Sequence, residues 1–214
     1  MTPAAWRSAA LGALWALVVA TFGLAAFTLW RSPVLDVVAV LEALRSVLAA
    51  LVLLWWTQVF TRYVAAEAVP DTDGVLRSVR ALLPWLTSLR IAMWLLLLLS
   101  LAGGVAETAS PVAVTALVTI SGAFIFAKNA VFGTLARWAP TPNEALGRVR
   151  LGQWLNAAAA LSLALGVVNV VPIAGLPGSD TPDVAAMIVY GTHALLDTAA
   201  MLLALKAVPP PMAP

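Results

Sequence analysis

Arg7 and Arg31 bracket 23 consecutive uncharged residues, almost all apolar. A bilayer core about 30 Å thick needs roughly 20 helical residues to cross it, so this stretch is long enough to span. The pattern recurs along the chain, and breakers divide it into six spans at about 9–30, 37–63, 85–105, 112–136, 151–171 and 184–206. The first stops at Arg31-Ser32-Pro33 and the second at Val69-Pro70-Asp71-Thr72-Asp73-Gly74. The third runs past Gly103-Gly104, and Ser110-Pro111 opens the fourth. Ala139-Pro140-Thr141-Pro142-Asn143 ends the fourth, and Pro172, Gly175, Pro177 and Gly178 end the fifth. Backbone in hydrocarbon must satisfy its own hydrogen bonds, which makes each span a helix. The expected fold is all-α, a polytopic bundle of about six transmembrane helices. It forms one domain over residues 1–208, with a Pro-rich tail at 209–214.

Composition agrees. The 214 residues are 62% hydrophobic and only 10% charged, where a soluble domain carries about 25% charged residues. The chain has no cysteine, which excludes disulfides, thiolate catalysis and Cys-based metal or iron–sulfur centres. No basic run is long enough for a nucleic-acid arm, and no nucleic-acid partner is expected. Ten Arg against two Lys, with abundant Ala and Leu, suggests a high-GC bacterial source.

The basic residues occupy alternate gaps. Arg62, Arg77, Arg80 and Arg90 surround the second gap, and Lys128, Arg137, Arg148 and Arg150 the fourth. The third and fifth gaps contain no Lys or Arg. Cytoplasmic loops carry the excess of Lys and Arg, so these gaps and both termini are assigned to the cytoplasm, with Glu107, Asp180 and Asp183 outside. The location implied is the cell (inner) membrane, with the lipid bilayer and its anionic cytoplasmic headgroups as partners. A membrane-protein partner or homo-oligomer is also compatible. Trp6, Trp55, Trp56, Trp85, Trp138 and Trp154 cluster near the basic helix ends and Trp30 near the other interface, as amphipathic indoles do. The amphipathic segment Val75–Arg90 is expected to lie along the cytoplasmic headgroups ahead of span three.

A short internal similarity links the two basic gaps at an offset of 70 residues, with identities at Leu76/Leu146, Val79/Val149 and Arg80/Arg150. Transporters are often built from repeats, although convergent loop composition gives the same match.

Span six contains the sharpest candidate site. His193 and Asp197 are four residues apart on one helix face, and Tyr190 extends that face by a turn. An Asp at mid-bilayer costs about 2.5–3.5 kcal/mol on insertion scales, so it must face protein or water. The pair reads either as a proton-sensitive or cation site, or as a His–Asp hydrogen bond that fixes helix packing. Asp36, Glu42 and Arg45 precede the core of span two, where Glu42 and Arg45 can pair. Lys128 and Asn129 lie late in span four, with Lys128 expected to snorkel towards the cytoplasmic interface. Asn156 and Asn169 are expected to join helices.

No catalytic residue, metal ligand set or cofactor motif emerges. A single histidine cannot supply two axial haem ligands. Enzyme activity is disfavoured. Two functions fit: a small transporter or channel for a solute or ion, using the His/Asp face, and a non-catalytic scaffold or accessory subunit of a membrane complex.

Overall fold

The computed structural model describes residues 2–32, 37–101, 111–170 and 184–209. Six α-helices follow in order: α1 (Pro3–Arg31), α2 (Val37–Val64), α3 (Gly74–Ser100), α4 (Pro111–Trp138), α5 (Ala145–Val170) and α6 (Val184–Ala207). There are no strands among the described residues. All six helices are long and apolar enough to cross a membrane. The proposed ends of span three, Gly103-Gly104, and of span five, Pro172 to Gly178, lie outside the described residues. So do Pro33, Asp36, Glu107, Asp180, Asp183 and the tail beyond Pro209.

The helices begin where the sequence provides caps. Thr2 accepts the Ala5 amide and Pro3 occupies the first turn of α1, where its missing N–H costs nothing. Asp73 caps α3 by accepting the amides of Val75 (2.9 Å) and Leu76 (3.2 Å). Its other oxygen receives Arg62 from the end of α2 at 2.7 Å, so one side chain both starts a helix and locks the preceding turn. That hydrogen bond to Arg62, reinforced by the two amides, holds the Asp73 carboxyl below its ordinary value. Helix α2 ends in a Schellman motif. The Glu67 amide donates to Arg62 O and the Ala66 amide to Tyr63 O, with Ala66 left-handed at φ 60° in the position usually taken by glycine.

Each helix packs on its chain neighbours, and α6 returns against α1, closing a ring of six. Helix α2 also touches α4 across the ring. One end of the bundle carries the turns 65–73 and 139–144, which join through the Val69 amide and Ala139 O at 3.0 Å. Arg80 adds a second tie, donating to Ala136 O at 2.8 Å while pairing with Asp71. The start of α1 and the end of α6 belong to this turn end as well.

The buried core fills the turn half of the ring. Trp56 stacks on Phe60 at 4.9 Å and meets Phe132 edge-on at 5.9 Å. Leu14, Leu76, Leu135, Leu155 and Met201 pack around them without measurable exposure. Large apolar side chains such as Trp85, Phe126, Ile188 and Leu195 face outwards, as expected where lipid is the solvent.

Four sequence expectations change. Residues 75–90 do not form a separate headgroup-lying segment: they are the first half of α3, continuous through Pro84. The reason is packing, since Leu76, Val79 and Leu86 are buried in the bundle. Trp56 is a core residue, not an interfacial anchor. Asn156 faces outwards and joins no helices, while the side chain of Asn169 lies outside the described residues. The 70-residue similarity is not an equivalence of environment, because Leu76 and Val79 are buried whereas Leu146 and Val149 are exposed.

Candidate functional site

Above the packed half, all six helices contribute to a cavity of about 400 Å³. Its floor is ionic. Lys128 on α4 donates to Asp197 on α6, and Ser162 on α5 donates to the other carboxylate oxygen. All three side chains are buried. Asp197 and Lys128 each lie ten residues from the turn-side ends of their helices, about 15 Å at 1.5 Å per residue. That distance is half the thickness of a 30 Å hydrocarbon layer.

The sequence dictates this convergence locally. A Cβ on Gly166 would stand 2.5 Å from the Ala194 Cβ, so only glycine allows α5 to approach α6 this closely. Ser162 lies one turn before Gly166 and Asp197 lies three residues after Ala194, so the close crossing delivers the hydroxyl to the carboxylate. On α4, Phe124, Lys128 and Phe132 repeat at four-residue spacing and share a face. The Lys128 ammonium lies 5.7 Å from the Phe124 ring centroid.

His193 sits one turn from Asp197 and also lines the cavity. Its Nε2 is 3.1 Å from Thr21 Oγ1 on α1. Thr21 already donates its single hydroxyl proton to Leu17 O at 2.7 Å. The ring therefore donates its Nε2–H to Thr21, which leaves the Nδ1 lone pair as the proton-accepting position of the neutral imidazole. Tyr190, one turn further on, lines the cavity and packs its ring edge-on against Phe27 at 6.2 Å.

Two more cations reach the same space. Arg45 pairs with Glu42 at 2.9 Å along α2. Arg90, deep in α3 and 7% exposed, donates Nη1–H to Asn129 Oδ1 at 3.1 Å and lies 5.9 Å from the Phe132 ring centroid.

His193, Asp197, Tyr190, Glu42, Arg45 and Lys128 thus line one cavity, with Asn129 beside it through Arg90. Asp36 lies outside the described residues. Two readings need correction. Lys128 does not snorkel to the interface: it is 5% exposed because Asp197 holds it inside. The partners of Asp197 among the described residues are Lys128 and Ser162, and His193 bonds to Thr21 instead. A four-residue spacing puts two side chains on one face but does not make them touch.

Sequence reasoning missed Arg90, Ser162 and Thr21. The positive-charge rule groups Arg90 with the topology anchors. The signal against that was available: it lies sixteen residues beyond the Asp73-Gly74 cap, about 24 Å along a helix, too deep for an end anchor. Ser162 and Thr21 carried no signal beyond being hydroxyls in apolar runs.

The arrangement offers positioned charges, hydrogen-bond donors and one imidazole lone pair. The Ser162 hydroxyl is turned to a carboxylate already bound to an ammonium. No group of three or more His, Cys, Asp or Glu suited to a metal occurs among the described residues. Comparison with known protein families, curated proteins and solved structures finds no match to this chain.

Proposed function

We propose that this chain is a multi-pass membrane transport protein that admits a small solute to the central cavity and responds to protonation there. The observation that carries this reading is the placement of His193, Asp197, Lys128, Arg90, Arg45 and Glu42 around one cavity of about 400 Å³ at mid-bundle depth. Ligand sites commonly occupy about 300–1,000 Å³, and transporters place theirs near the membrane midplane between helices. Ionisable groups at that depth are costly and are kept where they act on a substrate or proton.

The packed Trp56–Phe60–Phe132 cluster stands between the cavity and the turn end, which supports access from the opposite end in this conformation. The basic residues of the turn end, Arg62, Arg77, Arg80, Arg137, Arg148 and Arg150, favour a cytoplasmic position for it in the inner membrane, with both termini inside. An accessory-subunit role would be better served by a dry, fully packed interior than by a polar cavity.

The test is flux. Purified protein is reconstituted in liposomes loaded with the pH dye pyranine, and a panel of small organic acids, amines and neutral solutes is added outside under an imposed pH gradient. At least one solute class should drive protein-dependent flux, and its pH profile should change in the charge-neutralised Lys128→Met/Asp197→Asn protein. Parent flux no greater than empty liposomes across the panel overturns the proposal, as does an unchanged pH profile in the double variant.

A further inference from the structure

Among the described residues, the cavity does not balance its own charge. Lys128 is neutralised by Asp197, and Arg45 by Glu42. Arg90 is the remainder. Its contacts among the described residues are the neutral Asn129 amide oxygen and the Phe132 ring, and it is 7% exposed, so bulk water screens it poorly. Arg45 repels Arg90 across the cavity, and the attraction of Asp197 is shared with Lys128, which holds that carboxylate directly. A buried cation without a counter-ion is strongly unfavourable, more so at membrane depth.

One of the five guanidinium N–H groups is used by Asn129, which leaves the planar fork of Arg90 on the cavity wall to donate to two oxygens side by side. Asp197 and Glu42, the carboxylates that could hold a cationic solute, are both already committed to cations. Leu24, Leu53, Phe124 and Leu165 line the rest of the space and suit an apolar body.

We propose that the cavity takes a small organic monoanion, a monocarboxylate with an apolar body, whose carboxylate docks on the Arg90 guanidinium. One negative charge balances the site, whereas a dianion overshoots it. The inference rests on the reading of the cavity as a solute site and adds the chemical class.

Calorimetric titration of the protein in uncharged phosphatidylcholine nanodiscs tests it. The probes are sodium benzoate, butyrate and hexanoate, their neutral amides, and inorganic phosphate at pH 6. At least one carboxylate should bind tenfold or more tighter than its own amide. Arg90→Gln should abolish that preference, and ligand-free Arg90→Gln should melt no lower than the parent, because it removes an uncompensated charge. A purely structural Arg90 would instead lower the melting temperature and leave the preference intact. Should Arg90→Gln fail to fold, Arg90→Lys decides. It keeps the charge without the fork and should weaken the carboxylate several-fold more than the amide.

Equal binding of carboxylate and amide overturns the anion class and leaves the solute cavity standing. Phosphate binding as tightly as the carboxylates overturns the requirement for an apolar body. Binding of none of the probes overturns both the class and the solute-site reading.

Discussion

The Lys128–Asp197 pair is the most demanding element of the bundle, and its removal one partner at a time has a calculable signature. Both side chains are 6% exposed, so solvent does little to soften the loss of either charge. Breaking a buried pair from one side costs about 3–5 kcal/mol, because the survivor stays buried without compensation. Asp197→Asn strands the ammonium, and Lys128→Met strands the carboxylate with only Ser162 to bond it. If the sites were independent, the double variant would lose roughly 6–10 kcal/mol. The pair predicts otherwise. Lys128→Met/Asp197→Asn contains no charge to strand, its Asn oxygen can still accept the Ser162 hydroxyl, and its methionine keeps the aliphatic stem beside Phe124. Replacing both members of a buried pair is often neutral or stabilising, so the double variant should fall within about 2 kcal/mol of the parent. At about 2–4 °C per kcal/mol for a chain of this size, each single variant should melt roughly 6–20 °C lower, and the double close to the parent. Thermal unfolding in one detergent, followed by tryptophan fluorescence, measures all four proteins. Additive losses would refute the coupling, and single losses under about 1 kcal/mol would refute the burial on which the argument rests. The same cycle shows why Asp197→Asn alone is a poor functional probe: it unbalances the fold along with the site.

Three further outcomes follow from local geometry. Gly166→Ala would bring a methyl to 2.5 Å from Ala194. Forcing α5 from α6 should cost about 1–3 kcal/mol, read as a lower melting temperature, with loss of the Ser162–Asp197 hydrogen bond checked in a structure of the variant. Ala66→Gly should stabilise by about 1 kcal/mol, because the left-handed position at φ 60° strains any residue with a Cβ; an unchanged or lower melting temperature would contradict the Schellman assignment. Asp73 has a carboxyl depressed by Arg62, so its contribution is complete above the ordinary carboxylate range. It is lost as pH falls through the lowered folded-state value. Hydrogen exchange at the α2–α3 turn should therefore rise only below about pH 4, and Asp73→Asn should raise it at neutral pH while abolishing the acid step.

The six helices were legible because the requirement that creates them is local: about 20 apolar residues in succession and a breaker, with caps such as Thr2-Pro3 and Asp73-Gly74 written beside them. The site was half legible. Asp197 and His193 stood out because carboxylate and imidazole are rare inside apolar runs, and periodicity put both on one face of α6. Which partner each would take was not in that periodicity. Thr21 reaches His193 across 172 positions and Lys128 reaches Asp197 across 69, through a ring closure that no single helix encodes. The two basic residues that matter most were hidden by a rule that is right about the others. Positive charge at helix ends sets topology, and it accounts for Arg62, Arg80 or Arg137 without further cause. Applied to Lys128 and Arg90 it removes the site, because the count of charges near a gap does not register depth along the helix. Depth separates the two classes: an anchor must reach the headgroups, whereas a cation about 15–24 Å from the turn end must find its counter-charge inside the protein. Lys128 finds Asp197 there. Arg90 has, among the described residues, Asn129 and an aromatic face, and that inequality between two otherwise similar buried cations is the observation behind the proposed anion site.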